Sequence, residues 1–219
     1  MTERSLPDNL QKHDSNIPSD GAAGPGAEDM LLVDGARKGD ISAFNTIVER
    51  YQSHVLNLSA RIVGDRHMAE DIAQETFISA HRALGGFRGG SLRAWLLRIA
   101  SNLSYDHLRS SKRRPADSLD ESMEHPGFAV PTEGPGPEEQ AERKDLNAYI
   151  QKAILSLPPD QRTVLVMIYV QGLSYEETAE STGASLGTVK SRLSRARSRV
   201  REVLLQHREL LPDQFRQVH

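Results

Sequence analysis

Gly172–Lys190, GLSYEETAESTGASLGTVK, places two helix-start signals in close succession. Ser174 with Glu177 fits the capping box, in which each side chain satisfies an amide hydrogen that the first helical turn leaves orphaned. Gly183 permits the sharp turn that ends that helix, Ser185 can cap a second one, and small Ala179 lets the two approach closely. Two short-linked helices in this order make a helix-turn-helix pattern. The second helix continues as Val189–Arg201, VKSRLSRARSRVR, with Lys190, Arg192, Arg195, Arg197, Arg199 and Arg201 and no acid among them. Val189, Leu193, Ala196, Val200 and Val203 recur at steps of three or four, so they fix the inward face and turn the cations outward. A cationic helix that presents Thr188, Lys190 and Ser191 at its N-terminal end, with arginines following for phosphates, is the arrangement by which duplex DNA is read.

Working outward, that basic helix sits in a chain of 219 residues with 27 basic and 30 acidic side chains. Cutting the chain where its composition shifts resolves the contrast. Residues 1–29 carry 2 basic and 6 acidic residues, 30–114 carry 13 and 8, 115–145 carry 2 and 9, and 146–219 carry 10 and 7. Two cationic blocks are therefore preceded and joined by acidic segments. At 37% apolar and 5% aromatic residues the composition suits modest cores, and two small ones are expected rather than one large one. No apolar run approaches the roughly 20 residues that span a bilayer, and no signal-peptide core opens the chain, so a cytoplasmic protein without membrane insertion is expected. With no cysteine, disulfides and thiolate metal sites are excluded.

Residues 1–29 are rich in Pro, Gly, Ser, Asn and Asp and are expected to form a disordered tail. Residues 115–140 read as an acidic flexible linker in which Pro126, Pro131, Pro135 and Pro137 interrupt any helix, long enough to hold the blocks tens of ångströms apart. Elsewhere the apolar period is helical, so the fold class is all-α, with helical domains at 30–114 and 141–205 and a C-terminal tail at 206–219. In the first domain a short helix begins at Met30. Asp40 caps a long helix carrying Phe44, Ile47, Val48, Tyr51, Val55, Leu58 and Ile62, and Gly64 ends it. Asp65 caps the next, with Met68, Ile72, Phe77 and Ala80 inward. After the loop GGFRGG (85–90), Ser91 caps a fourth helix with Leu92, Trp95, Ile99 and Leu103 on its buried side. In the second domain a helix ends before Pro158, and another begins near Asp160 with Val164, Leu165 and Ile168 inward.

Asp71–Phe77 (DIAQETF), the loop and helix FRGGSLRAWLLRIASNLSYDHLR, and LPPDQRTVLVMIYVQGLSYEETAESTGASLGTVKSRLSRAR together resemble the signatures of bacterial RNA polymerase sigma factors, of the sigma-70 family and extracytoplasmic-function (ECF) type. The resemblance covers roughly residues 30–114 and 141–205, in the family's order. It implies a first domain, region 2, that docks on a coiled coil of the β′ clamp of core RNA polymerase, reads the minus-10 element as a displaced single strand and helps open the duplex. It implies a second domain, region 4, that reads the minus-35 element as duplex, with the β subunit as a further polymerase partner. By match to the family motifs, Asp71, Gln74, Glu75, Thr76 and Phe77 carry the clamp contact, Phe77 chiefly through packing. Phe87, Arg88, Gly89, Gly90, Ser91, Arg93, Asn102, Asp106 and Arg109 serve the minus-10 element. Thr188, Lys190, Ser191, Arg192, Ser194 and Arg195 serve the minus-35 element. Trp95 belongs to the apolar stripe. The resemblance further implies a stress or envelope response and an anti-sigma factor as a possible partner, for which Leu204, Leu205, Leu210 and Leu211 offer apolar edges. It implies no cofactor and no enzymatic step.

Other readings explain less. His67, Asp71 and Glu75 share a helix face as metal ligands do, yet no further ligand motif converges on them. GGFRGG lacks the GK[ST] of a phosphate-cradling loop. A stand-alone helix-turn-helix regulator is the alternative, and it leaves DIAQETF and the arginine-rich helix of the first block unexplained.

Overall fold

The computed structural model describes residues 25–111 and 137–206, with side chains from 26 to 110 and from 145 onward. Four helices make the first unit: α1 (Pro25–Arg37), α2 (Ile41–Val63), α3 (Arg66–Ala83) and α4 (Leu92–Ser111), with a tight 3-10 turn at Leu84–Gly86. Four more make the second: α5 (Pro137–Leu155), α6 (Pro159–Leu165), α7 (Tyr175–Thr182) and α8 (Leu186–Leu205), with a wide π-turn at Val166–Val170 between α6 and α7. No strand occurs among the described residues.

The expected caps are in place. The Asp40 carboxylate accepts from the Ser42 and Ala43 amides at 2.9 and 3.2 Å, and bonds from the Ser42 hydroxyl and the Ala43 amide hold its pKa below the usual carboxylate value. Gly64 closes α2 in the left-handed region at φ 83°, and Asp65 caps α3 through the Met68 amide at 2.7 Å. On α2, Ile47, Tyr51, Val55, Leu58 and Ile62 are buried as the period requires.

Several boundaries differ from expectation. α1 begins at Pro25, inside the stretch read as tail, because Asp29 has a buried partner that composition does not show. Its carboxylate accepts from the Tyr51 hydroxyl at 2.5 Å and from Arg50 at 2.8 Å. Burial, then the Asp29 carboxylate, push the Tyr51 phenol well above its ordinary pKa. Pro137, read as a helix interrupter, instead opens α5, where the first turn has no use for the missing N–H. On α4 the innermost residues are Leu92, Leu96, Leu97 and Ala100, whereas Trp95, Ile99 and Leu103 are half-buried. The reason is that α4 packs on α2 and α3 on one side and on α7 on the other, so burial extends beyond a single stripe.

The largest difference is between the units. They stand side by side, and one continuous buried cluster runs from Val33 and Ile47 through Leu97 to Val164, Met167 and Leu193. Leu155 of α5 fills the space a side chain at Gly64 would need, since a Cβ there would lie 2.9 Å from both Leu155 methyls. Arg162, buried, donates to the Ile62 carbonyl of α2 and to the Leu155 and Leu157 carbonyls of its own unit. Residues 1–24, 112–136 and 207–219, with the tail and linker readings that fall on them, lie outside the described residues.

Candidate nucleic-acid interface

The helix-turn-helix is built as its sequence requires. Ser174 Oγ accepts from the Glu177 amide at 3.0 Å while the Glu177 carboxylate accepts from the Ser174 amide at 2.8 Å, a complete capping box. Gly183 turns the chain at φ 63°, and Ser185 caps α8 through the Thr188 amide at 3.1 Å. Val189, Leu193 and Ala196 seat α8 in the core. Lys190, Ser191, Ser194 and Arg195 are consequently exposed, and Thr188 is half-exposed with its hydroxyl 2.8 Å from that of Ser185. All six candidates on this helix occupy its N-terminal half, but Arg192 is tied to Asp160 of α6 at 3.0 Å. Lys190 Nζ lies 5.9 Å from the centre of the Tyr175 ring, which steers the ammonium without removing it from solvent. Arg197 bonds the hydroxyl of the exposed Tyr169 at 3.3 Å. Tyr169 was not singled out by the sequence, because an aromatic residue in an otherwise apolar run reads as core.

On the first unit, α3 sorts the DIAQETF residues by depth. Asp71, Gln74 and Glu75 are exposed, whereas Thr76 is fully buried, its hydroxyl donating to the Ile72 carbonyl at 2.7 Å, and Phe77 is in the core. Thr76 thus holds the helix rather than presenting a group to a partner. Ile78, 45% exposed, sits one turn beyond Gln74 on the same outward stripe. Sequence reasoning passed over it, although an aliphatic side chain one position outside the buried pair was the available signal. Among the described residues no group of His, Asp and Glu is placed to hold a metal ion, and His67, Asp71 and Glu75 do not converge with further ligands.

The loop between α3 and α4 corrects one residue. Phe87 is 4% exposed, its ring 5.3 Å from that of Trp95, so it anchors the loop and offers no face to a base. Arg37 holds the same loop by donating to the Leu84 and Phe87 carbonyls. Arg88 is exposed, and Gly89 and Gly90 have φ 96° and 88°, a backbone that other residues rarely adopt. Ser91 Oγ accepts from the Ala94 amide at 3.1 Å, so its first role is the cap of α4. Beyond it Arg93 is half-buried, while Asn102, Asp106 and Arg109 follow one another along an exposed stripe of α4. Arg98 is exposed one turn before Asn102 and extends that stripe with a further cation. A stripe of amide, carboxylate and guanidinium groups on one helix can supply directional partners for bases and charge for a strand.

Residues 47–114 match the family model described as sigma-70 region 2, and residues 147–200 the one described as sigma-70, region 4. The chain is 39% identical over 181 residues to the RNA polymerase sigma-H factor of Pseudomonas aeruginosa, covering 81% of this chain and 94% of that protein. It is also 39% identical over 178 residues to the ECF RNA polymerase sigma-E factor of Escherichia coli K12, covering 78% and 92%. Among solved structures it is similar to CnrH in complex with the cytosolic domain of CnrY (TM-score 0.60, 25% identity, 81% of this chain and 97% of that one). A second is the sigma factor RpoE in complex with the anti-sigma factor NepR from Bartonella quintana (TM-score 0.60, 28% identity, 75% and 98%).

Proposed function

The chain belongs to the sigma-70 family as an ECF-type sigma factor, and on that premise we propose that α3 docks it on the polymerase clamp while α4 and α8 read two promoter elements. Binding core RNA polymerase and directing it to promoters is general to the family. The finer assignment gives Asp71, Gln74, Glu75 and Ile78 to the clamp. It gives Arg88, Gly89, Gly90, Asn102, Asp106 and Arg109 to the displaced strand of the minus-10 element, and the N-terminal half of α8 to the minus-35 duplex. The observation that carries it is that these groups lie on outward faces of α3, of the loop and helix α4, and of α8, while Phe77, Leu97 and Leu193 seat the same helices in the core. The chain supplies binding and strand separation in the cytoplasm, and no bond-making step is assigned to it. A protein antagonist of the anti-sigma kind, released under stress, completes the proposal. It is supported by the solved relative held by such a factor. Leu204 and Leu205 are half-buried at the end of α8, and Leu210 and Leu211 lie outside the described residues.

The test is reconstitution with core polymerase lacking a sigma factor. Co-elution, together with transcription from a two-element promoter, is the expected result. A chain that binds duplex DNA tightly by itself and ignores polymerase is a stand-alone regulator instead.

A further inference from the structure

We infer that Tyr175, on the first turn of α7, is a positioning residue for minus-35 recognition: its ring holds the Lys190 side chain ready for one base edge and so helps set the sequence preference of α8. The inference rests on the reading of α8 given above and adds a residue to it.

Lys190 is exposed near the start of α8. An unrestrained lysine of that kind samples many rotamers, and fixing it on a base edge costs that freedom. A neighbour that orders the side chain in the free protein lowers the cost, and the chemistry of the neighbour matters. Arg192 is ordered by the Asp160 carboxylate at 3.0 Å, which occupies its donors and offsets its charge. Lys190 Nζ instead lies 5.9 Å from the centre of the Tyr175 ring. A ring attracts an ammonium through its quadrupole. It leaves the charge in place and the N–H groups available for acceptors such as O6 and N7 of guanine.

The ring is itself fixed. Tyr175 directly follows Ser174, whose capping box with Glu177 sets the start of α7, and it is half-buried against the core. The Gly183 turn at φ 63° then brings α8 back beside it. Between the two helices lies a cleft of about 410 Å³ lined by Tyr175, Glu176, Lys190, Leu193, Ser194 and Arg197. Glu176 offers the ammonium a carboxylate in that cleft, which would draw it away from DNA, and the ring is the competing hold. Arg197, two turns further along α8, bonds the Tyr169 hydroxyl at 3.3 Å. Both cations lining the cleft are therefore ordered by tyrosines that other elements supply.

The test uses the full-length chain bound to core polymerase, on a two-element promoter and on copies of it that differ by one base pair across the minus-35 element. Lys190→Ala is expected to lower affinity and to abolish the preference at one base pair. Tyr175→Leu, which keeps apolar bulk but removes the ring, is expected to lower affinity several-fold and to weaken the preference at that same base pair alone. Tyr175→Phe, which keeps the ring, is expected to retain both. In the Lys190→Ala background, Tyr175→Leu is expected to have no further effect. Losses from Tyr175→Leu that fall evenly on every base pair, or that add in full to those of Lys190→Ala, overturn the positioning role and leave α8 as the reading helix. So does a Tyr175→Phe variant that loses as much as Tyr175→Leu. A holoenzyme indifferent to Lys190→Ala overturns the assignment of Lys190 to the minus-35 element, and the positioning role with it.

Discussion

Lys190 and Arg195 face outward from α8, and Asp71 and Glu75 face outward from α3, so these four residues can be removed with little effect on folding. Lys190→Ala and Arg195→Ala are expected to weaken minus-35-dependent binding about tenfold each, within the roughly 1–3 kcal/mol that one base-edge contact contributes, while core polymerase still binds. Asp71→Ala and Glu75→Ala are expected to do the reverse, and equal losses in both assays would contradict the division of labour. Phe87 tests the opposite case. It matches a DNA-contacting position by family motif, yet its ring is buried against Trp95. Phe87→Ala is expected to cost about 3–5 kcal/mol of stability, as large core truncations do, and Phe87→Leu to restore most of it, measured by chemical denaturation. Loss of promoter binding with unchanged stability would return Phe87 to the interface.

At the scale of elements, the caps test how local signals make helices. Ser174→Ala removes one half of a closed capping box, and a loss of about 1 kcal/mol is expected, read as a lower denaturation midpoint with an unchanged slope. Gly89→Ala and Gly90→Ala meet no neighbouring atom within 4 Å but sit at φ 96° and 88°, so each is expected to cost roughly 1–2 kcal/mol in backbone strain alone. That strain should reshape the loop and reduce minus-10 recognition while minus-35 binding stands. The caps Asp40, Gly64, Asp65, Ser91, Ser174, Gly183 and Ser185 were legible in the sequence because each partner lies within four residues. Other features were not. The π-turn at Val166–Val170 leaves no mark on an unbroken apolar run. The packing of α4 against α7, where Ser181 reaches the Ala94 carbonyl, joins residues more than seventy positions apart along the chain.

For the whole molecule the same contrast holds. Composition and period marked out two helical blocks, and family motifs marked three exposed faces, but nothing local announces that Arg162 reaches the Ile62 carbonyl or that Leu155 occupies the space beside Gly64. Burial holds the Arg162 guanidinium below its ordinary pKa, a sign that it was taken from water to close the interface rather than to read DNA. Under the proposed function each unit has few cations to set against phosphates, so binding by the protein without polymerase is expected to be weak and to fall steeply with added salt, whereas salt-insensitive binding would point to a different mode.

The most direct measurement combines the purified protein with core RNA polymerase lacking any sigma factor and a library of genomic fragments, and maps the 5′ ends of the transcripts. Start sites that share two sequence elements upstream, and that disappear with Asp71→Ala/Glu75→Ala, are the expected outcome. No polymerase-dependent transcript, with tight duplex binding by the protein alone, would contradict its assignment as a promoter-directing subunit.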